Sequence, residues 1–196
     1  MSVDIQPLTG DVLRTVLPAL AELRIRVFAE WPYLYNGTLE YEQKYLEKFS
    51  QADHALVVVA RDGDRVIGAS TASPLLGHAD EFAIPFKENG YDPQRVFYFG
   101  ESVLLPEYRG RGIGHAFFEH REQHARHLGR FDIATFCAVV RATDDPRKPV
   151  SYNPLDPFWH KRGFHKMDGM ITSYSWKEID TDQEIEHPMQ FWVKRL

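Results

Sequence analysis

Hydrophobic residues along this chain change their spacing repeatedly, and each change marks the edge of an element. Residues 3–8 read as a short strand, after which Gly10-Asp11 leads into a stretch over 12–30 with apolar residues at 13, 16, 17, 20, 23 and 27. That is the period of an amphipathic helix, with Pro18 as the point where it breaks. An aromatic loop, Trp31-Pro32-Tyr33-Leu34-Tyr35-Asn36-Gly37, separates it from a second helical stretch over 38–49. The β-rich runs 55–61 and 65–72, joined by Asp62-Gly63-Asp64, predict a hairpin. Segment 74–94 holds a short helix in HADEFAIPFKENG, and the apolar run 95–105 predicts a strand. A helix over 112–128, a strand over 131–140, a proline-rich loop over 141–157 and a short helix near 155–162 follow, and two strands over 171–179 and 189–196 close the chain.

Helices interleaved with strands describe an α/β domain with a mixed sheet. A length of 196 residues, with 43% hydrophobic and 26% charged side chains, suits one substantial core, so residues 1–196 are read as a single domain. The net charge of −5 argues against a general nucleic-acid or anionic-membrane binder, which needs clustered Lys and Arg. No apolar run reaches the ~18 residues that a membrane span requires. Cys137 is the only cysteine, so no internal disulfide can form. With no signal peptide in view, the expected setting is the reducing cytoplasm. The apolar surroundings of Cys137, FDIATFCAVV, mark it as core filler rather than a nucleophile.

Chemistry concentrates in RVFYFGESVLLPEYRGRGIGHAFF, residues 95–118, where the strand runs through a proline into Arg109-Gly110-Arg111-Gly112-Ile113-Gly114 and then directly into a helix. Glycines let the backbone approach a ligand, and the first amides of a helix point outward without internal partners, so the junction is an anion site. A Walker loop is excluded because no Lys-Ser or Lys-Thr pair occurs in the chain. The dinucleotide fingerprint does not fit either: the third glycine comes one residue early, and Asp132 opens the next apolar run where that motif wants an acid at its close.

Arg109-x-x-Gly112-x-Gly114, after a strand and before a long amphipathic helix, resembles the acyl-CoA pyrophosphate loop of the GNAT superfamily of N-acetyltransferases. Phe158-Trp159-His160-Lys161-Arg162-Gly163-Phe164 is similar to the family's later helix, in which an aromatic pair precedes a Gly-Phe that starts the next strand. The order of elements resembles the family's across nearly the full length. The resemblance implies a mixed, mostly antiparallel central sheet with helices on both faces, and acetyl-CoA as co-substrate without a metal. It also implies that the amides of Arg109, Gly110, Arg111, Gly112, Ile113 and Gly114 take the pyrophosphate, with His115 just beyond, and that Phe158 is a further co-substrate contact. The backbone of Val103, Leu104 and Leu105 would pair with the pantetheine arm like an added strand, one amide polarising the thioester carbonyl.

Acyl transfer to an amine needs the neutral amine. With an amine pKa of ~10.4, about one molecule in a thousand is neutral at pH 7, a cost of ~4 kcal/mol that a general base relieves. Glu101 is the candidate. Period-2 alternation puts it on one face with Phe97, Phe99, Val103 and Leu105, and an acid among such neighbours is tuned toward base work; a buried Glu held by a structural hydrogen bond is the competing reading. In the family a glutamate on this strand often serves as base. The family's usual acid is a tyrosine of the later helix, where this chain has Trp159, whose indole cannot protonate a thiolate. Tyr152, seven residues earlier, is the substitute, unless the thiolate takes its proton from water.

The aromatic loop 31–35, with Glu30, Glu40 and Glu42 nearby, offers acids and ring faces for a cationic amine, while Arg24 and Arg26 equally suit an acceptor with a carboxylate. The acceptor is a small-molecule or peptide amine of undecided charge. His120, His124 and His127 share a helix stripe, but Arg121, Glu122, Gln123 and Arg126 beside them describe a solvated face rather than a metal site. The terminal run MQFWVKRL fits either a homodimer interface or burial in its own sheet. Two functions stand against each other: an acetyl-CoA-dependent N-acetyltransferase, and a non-catalytic acyl-CoA-binding sensor or interaction module of the same fold.

Overall fold

In the computed structural model, which describes residues 3–78 and 80–196, the predicted helix over 12–30 is two helices, α1 (Gly10–Arg14) and α2 (Leu17–Phe28). The break falls just before Pro18, which sits in the first turn of α2, where a missing N–H leaves no intrahelical bond unmade. Leu13, Val16, Leu17, Leu20 and Leu23 are all buried, as the period required. Thr38 starts α3 (Leu39–Ser50), its hydroxyl accepting the Tyr41 N–H at 3.3 Å.

Strand β1 (Asp4–Thr9) pairs with β2 (Leu56–Asp62), which forms the expected hairpin with β3 (Arg65–Pro74). After α4 (Asp80–Glu88) come β4 (Val96–Leu104), α5 (Ile113–His127), β5 (Ile133–Val139), α6 (Asp156–Lys161), β6 (His165–Lys177) and β7 (Glu184–Arg195). The seven strands make one sheet in the order β1-β2-β3-β4-β5-β7-β6, antiparallel at every pair except β4–β5. Helices cover both faces. Phe82 of α4 meets Tyr98 edge-on at 5.4 Å on one side. On the other, Phe118 of α5 meets Phe99 at 5.9 Å and Trp159 of α6 meets Phe136 at 4.9 Å.

Two strands differ from the pattern reading. β6 begins at His165 rather than 171, because a register shift between Lys166 and Ile171 interrupts its alternation. The carbonyls freed there, of Met167 and Met170, accept from the Gln190 side chain at 2.6 and 3.0 Å. β7 lies between β5 and β6, which buries Phe191, Trp192 and Val193 in their own sheet. Burial in the sheet therefore accounts for that run without a dimer interface.

One feature of the sheet creates the site. The parallel pairing of β4 with β5 covers only Val96–Ile133, Phe97–Ala134 and Tyr98–Thr135, after which the strands part. Beyond Tyr98, β4 keeps β3 on one side and leaves its other edge open.

Candidate active site

Strand β4 absorbs an extra residue on its open stretch. Ser102 pairs with Ser70 and Phe99 with Ala72, so three steps along β4 match two along β3. Such a bulge reverses the side-chain parity beyond it. The Arg121 guanidinium of α5 lies over the Phe99 ring at 4.5 Å, and its Nη2 donates to Ser102 Oγ at 2.9 Å, so Phe99 and Ser102 both face α5. Glu101 consequently turns to the opposite face, with Tyr98, and not to the face of Phe97 and Phe99 that unbroken alternation implied. Gly100 makes the kink possible. A Cβ there would lie 2.4 Å from Thr71 Oγ1, the hydroxyl that accepts the Glu101 N–H at 3.3 Å.

On its new face Glu101 finds a guanidinium instead of purely apolar surroundings. Its Oε2 meets Arg24 Nη1 at 2.7 Å, and Arg24 Nε donates to Glu42, which also accepts from the Tyr35 hydroxyl at 2.8 Å. Burial acts to lower the Arg24 pKa, but Glu101, Tyr45 and Glu42 outweigh it and raise it above its ordinary value. Arg24 is thus a fixed cation between two carboxylates. Glu101 Oε1, by contrast, is buried with no hydrogen-bond partner among the described residues. Such an oxygen is an acceptor in want of a proton donor.

Arg121 holds the bulge from the other side. Its Nε donates to the Phe117 carbonyl at 3.1 Å, and its Nη1 to the carbonyls of Thr71 and Glu101, each at 3.4 Å. These bonds replace part of the ladder that the bulge interrupts. Burial pulls the guanidinium down to about 9, against Glu101 and Glu122, so it stays charged at neutral pH. The solvated face expected from Arg121, Glu122, Gln123 and Arg126 is only half there: Gln123 and Arg126 are exposed, but Arg121 and Glu122 are buried, and Glu122 binds Arg162 at 2.8 Å and Lys194 at 2.7 Å. His124 of the same helix contacts the His54 carbonyl at 3.2 Å. No three metal-ligating side chains cluster among the described residues.

Backbone forms the adjoining wall. The Leu105 N–H donates to the Ile67 carbonyl at 3.0 Å, so Val103 and Leu105 turn their amides to β3 while Ser102 and Leu104 turn theirs to the gap. Of the three residues expected to meet a pantetheine arm, Leu104 is the one whose backbone faces the gap, and Ser102 joins it. Gly110 and Gly112 have φ of 78° and 81°, a left-handed conformation that other residues adopt at a cost. Gly112 caps α5 without a side chain. The first intrahelical bonds come from His115 and Ala116 to the Gly112 carbonyl, so the amides of Ile113 and Gly114 lie ahead of them and point out of the helix. Neither neighbouring arginine is bare. Arg109 donates to Glu30 at 3.0 Å and to the Leu104 carbonyl at 3.3 Å, and Arg111 to the Glu107 carbonyl at 2.9 Å. His115 meets Phe158 edge-on at 4.8 Å, which brings the glycine turn and α6 together.

These walls enclose a cleft of about 1760 Å³ that also includes the aromatic loop and Tyr152. The model of the acetyltransferase (GNAT) family matches residues 20–148. The chain belongs to that family. Solved structures share its fold over nearly the whole length. The ribosomal-protein-alanine N-acetyltransferase of Brucella melitensis has a TM-score of 0.62 at 17% identity, covering 98% of this chain and 99% of that one. NAA60 of Arabidopsis thaliana, in complex with a bisubstrate analogue, has a TM-score of 0.62 at 13% identity over 99% and 98% of the two chains. An N-acetyltransferase of Staphylococcus aureus has a TM-score of 0.60 at 13% identity over 100% and 99%. No curated protein matches the chain by sequence. At these identities the structural likeness carries the fold of the GNAT family, and the acceptor has to be read from the cleft itself.

On that side of the GNAT cleft most of the charges offered by the sequence are already engaged, and Arg26, exposed and without an ion pair among the described residues, does not line the cleft. Glu30 is tied to Arg109, Glu42 to Arg24 and Glu40 to Lys44, while Arg24 is paired twice. The aromatic loop is anchored from the far end of the chain. Arg141 donates to the carbonyls of Pro32 and Tyr33 at 2.6 and 2.9 Å, Trp176 Nε1 donates to the Tyr33 carbonyl at 2.9 Å, and Glu178 pairs with both Arg141 and Arg147 at 2.5 Å. Tyr152 lies edge-on to Trp31 at 6.2 Å, so the proline-rich loop folds against the aromatic one. Burial, and then Asp156, raise the Tyr152 phenol, which stays protonated at neutral pH. Trp159 packs between Phe136 at 4.9 Å and Trp192 at 5.0 Å. Burial pushes the Cys137 thiol up to about 12, the Tyr98 hydroxyl at 3.0 Å only partly opposing it, which fits core filler. Among the described residues no helix is long and apolar enough to cross a membrane.

Sequence reasoning missed Arg121, Glu178 and the Arg24–Glu101 pair. One local signal was available for the first: a lone glycine inside a strand, here Gly100, marks a bulge that something must brace.

Proposed function

We propose that this chain is an acetyl-CoA-dependent N-acetyltransferase in which a primary amine of a small molecule or peptide attacks the thioester directly, with Glu101 as general base. The observation that carries the reading is the buried, unpartnered Glu101 Oε1 beside the open edge of β4. Acetyl-CoA fits the residues present. The uncapped N-terminus of α5 and the left-handed glycines before it suit a pyrophosphate, and the Leu104 and Ser102 backbone suits an extended amide-bearing arm. Bound there, acetyl-CoA supplies an acetyl group activated as a thioester. Arg24 fixes Oε2, leaving Oε1 to take the amine proton directly or through a water. Tyr152 holds a proton for the departing thiolate. The reading takes residues 1–196 as one domain, in support of which a single sheet runs from Asp4 to Arg195, and places it in the cytoplasm with Cys137 as a free thiol.

A second reading, an acyl-CoA-binding module without turnover, is favoured by Trp159, whose packing leaves no hydroxyl at the family's usual acid position. Acetyl-CoA should raise the melting temperature under both. Only the enzyme should release CoA thiol from acetyl-CoA with a panel of amines, and Glu101→Gln should slow that release. Absence of stabilisation by acetyl-CoA would sink both.

A further inference from the structure

The cleft carries a continuous run of rings on the face to which the bulge turns Glu101. Tyr33 lies 5.8 Å from Trp176, Trp176 lies 6.4 Å from Tyr174, Tyr174 lies 6.2 Å from Phe82, Phe82 lies 5.4 Å from Tyr98, and Tyr98 lies 4.5 Å from His78. All six line the cleft, although they come from the aromatic loop, α4, β4, β6 and the turn after β3. Resting on the proposed function, we infer that the acceptor is a primary amine borne on a flat aromatic body, which lies along these rings while its nitrogen meets Glu101.

Three observations support that class over a polycation or an amino acid. Ring edges and faces reward an apolar planar ligand with both buried area and aromatic contacts. A polycationic acceptor needs uncompensated carboxylates; Glu30, Glu42, Glu101 and Glu178 are each paired with an arginine. The acids of the cleft wall without an ion pair among the described residues, Asp156, Asp182 and Glu184, belong to α6, the β6–β7 connection and the start of β7 rather than to the ring run. An amino-acid acceptor is best held by a free guanidinium; Arg24, Arg141 and Arg147 are already held by those same acids and their neighbours, and Arg121 is committed to backbone carbonyls and Ser102. The other cations of the cleft wall without an ion pair among the described residues are lysines, Lys48, Lys148, Lys166 and Lys177, which lack the planar fork that grips a carboxylate. At one end of the ring run Ser73 Oγ and His78 Nε2 share a hydrogen bond at 2.8 Å. Burial, and then Lys48, lower His78 to about 4, so at neutral pH this pair is uncharged and suits a neutral polar substituent on the acceptor.

The test is thiol release at saturating acetyl-CoA with 2-phenylethylamine, tryptamine, spermidine, lysine and a short peptide with a free N-terminus. The aryl amines should show kcat/KM at least about tenfold above the other three. Phe82→Leu and Tyr174→Leu should raise the KM for tryptamine about fivefold while leaving the KM for acetyl-CoA unchanged. Spermidine, lysine or the peptide turning over as fast as the aryl amines overturns the acceptor class and leaves acetyl transfer standing. No thiol release with any amine, from protein that acetyl-CoA stabilises, overturns the proposed function and this inference together. Should either variant lose its stabilisation by acetyl-CoA, the wild-type panel alone decides.

Discussion

Between Arg109 and Gly114 the chain offers a ligand its backbone; between Trp31 and Tyr35 it offers side chains. The first region is contiguous, needing only two left-handed glycines and the start of a helix to point its amides outward. The second exists only because Arg141, Trp176 and Glu178, more than a hundred residues away, hold the loop in place. A backbone site tolerates many side chains and recognises a common feature such as a diphosphate. A side-chain site assembled at long range can differ between proteins of one fold, which is why a shared donor coexists with unrelated acceptors. Glu101 stands where the two regions meet, and the bulge at Gly100 decides which of them it serves.

That contrast can be broken or sharpened by experiment. The largest expected effect belongs to Glu101→Gln, which keeps the shape but removes the proposed base: kcat should fall about 10²- to 10³-fold with acetyl-CoA binding unchanged, measured by thiol release and by thermal shift. Equal losses of binding and turnover would instead make Glu101 a structural acid. Arg121→Met leaves the carbonyls of Thr71 and Glu101 without their donor, so it should destabilise the fold by about 3 kcal/mol in urea titration and lower kcat through the displaced bulge. Unchanged kcat in that variant would show that the bulge stands without its brace.

Smaller effects separate the two halves. His78 has a pKa of about 4 in the folded protein against 6.5 for an ordinary histidine, so the unfolded chain binds more protons between those values. Its contribution is complete above pH 6.5 and is lost as pH falls toward 4. The wild type should therefore lose about 2 kcal/mol more than His78→Gln between pH 7 and 4, compared by urea midpoints. Gly112→Ala meets no steric obstacle but forces a side chain into the left-handed region, at about 1 kcal/mol. It should raise the KM for acetyl-CoA and leave the KM for the amine alone. A change in the acceptor KM would mean that the two halves are not independent.

Much of the fold could be read from periodicity. The split at Pro18, the hairpin over 55–72 and the strand-to-helix turn at 109–114 were legible because each is fixed by residues next to one another, through a missing N–H, a tight turn or a glycine φ. β6 was legible only from 171 onward, since the carbonyls freed by its register shift are satisfied by Gln190, a residue of another strand. For the site, Glu101 was legible as a residue but not as a direction. Alternation put it with Phe97 and Phe99; the extra residue in β4 put it opposite them, beside Arg24. The charge pattern of α5 was right for Gln123 and Arg126, which are exposed, but Arg121 and Glu122 also read as surface, and each finds enough partners in the folded protein to be buried.

The order of elements and the left-handed glycine turn that opens α5 could be read directly from the chain, because these depend on local backbone geometry. Which way Glu101 faces, which charges are paired and which rings line the cleft were settled by the packing of distant elements. Those outcomes depend on a strand register and on pairs of residues far apart in the chain, whose meeting no local spacing encodes.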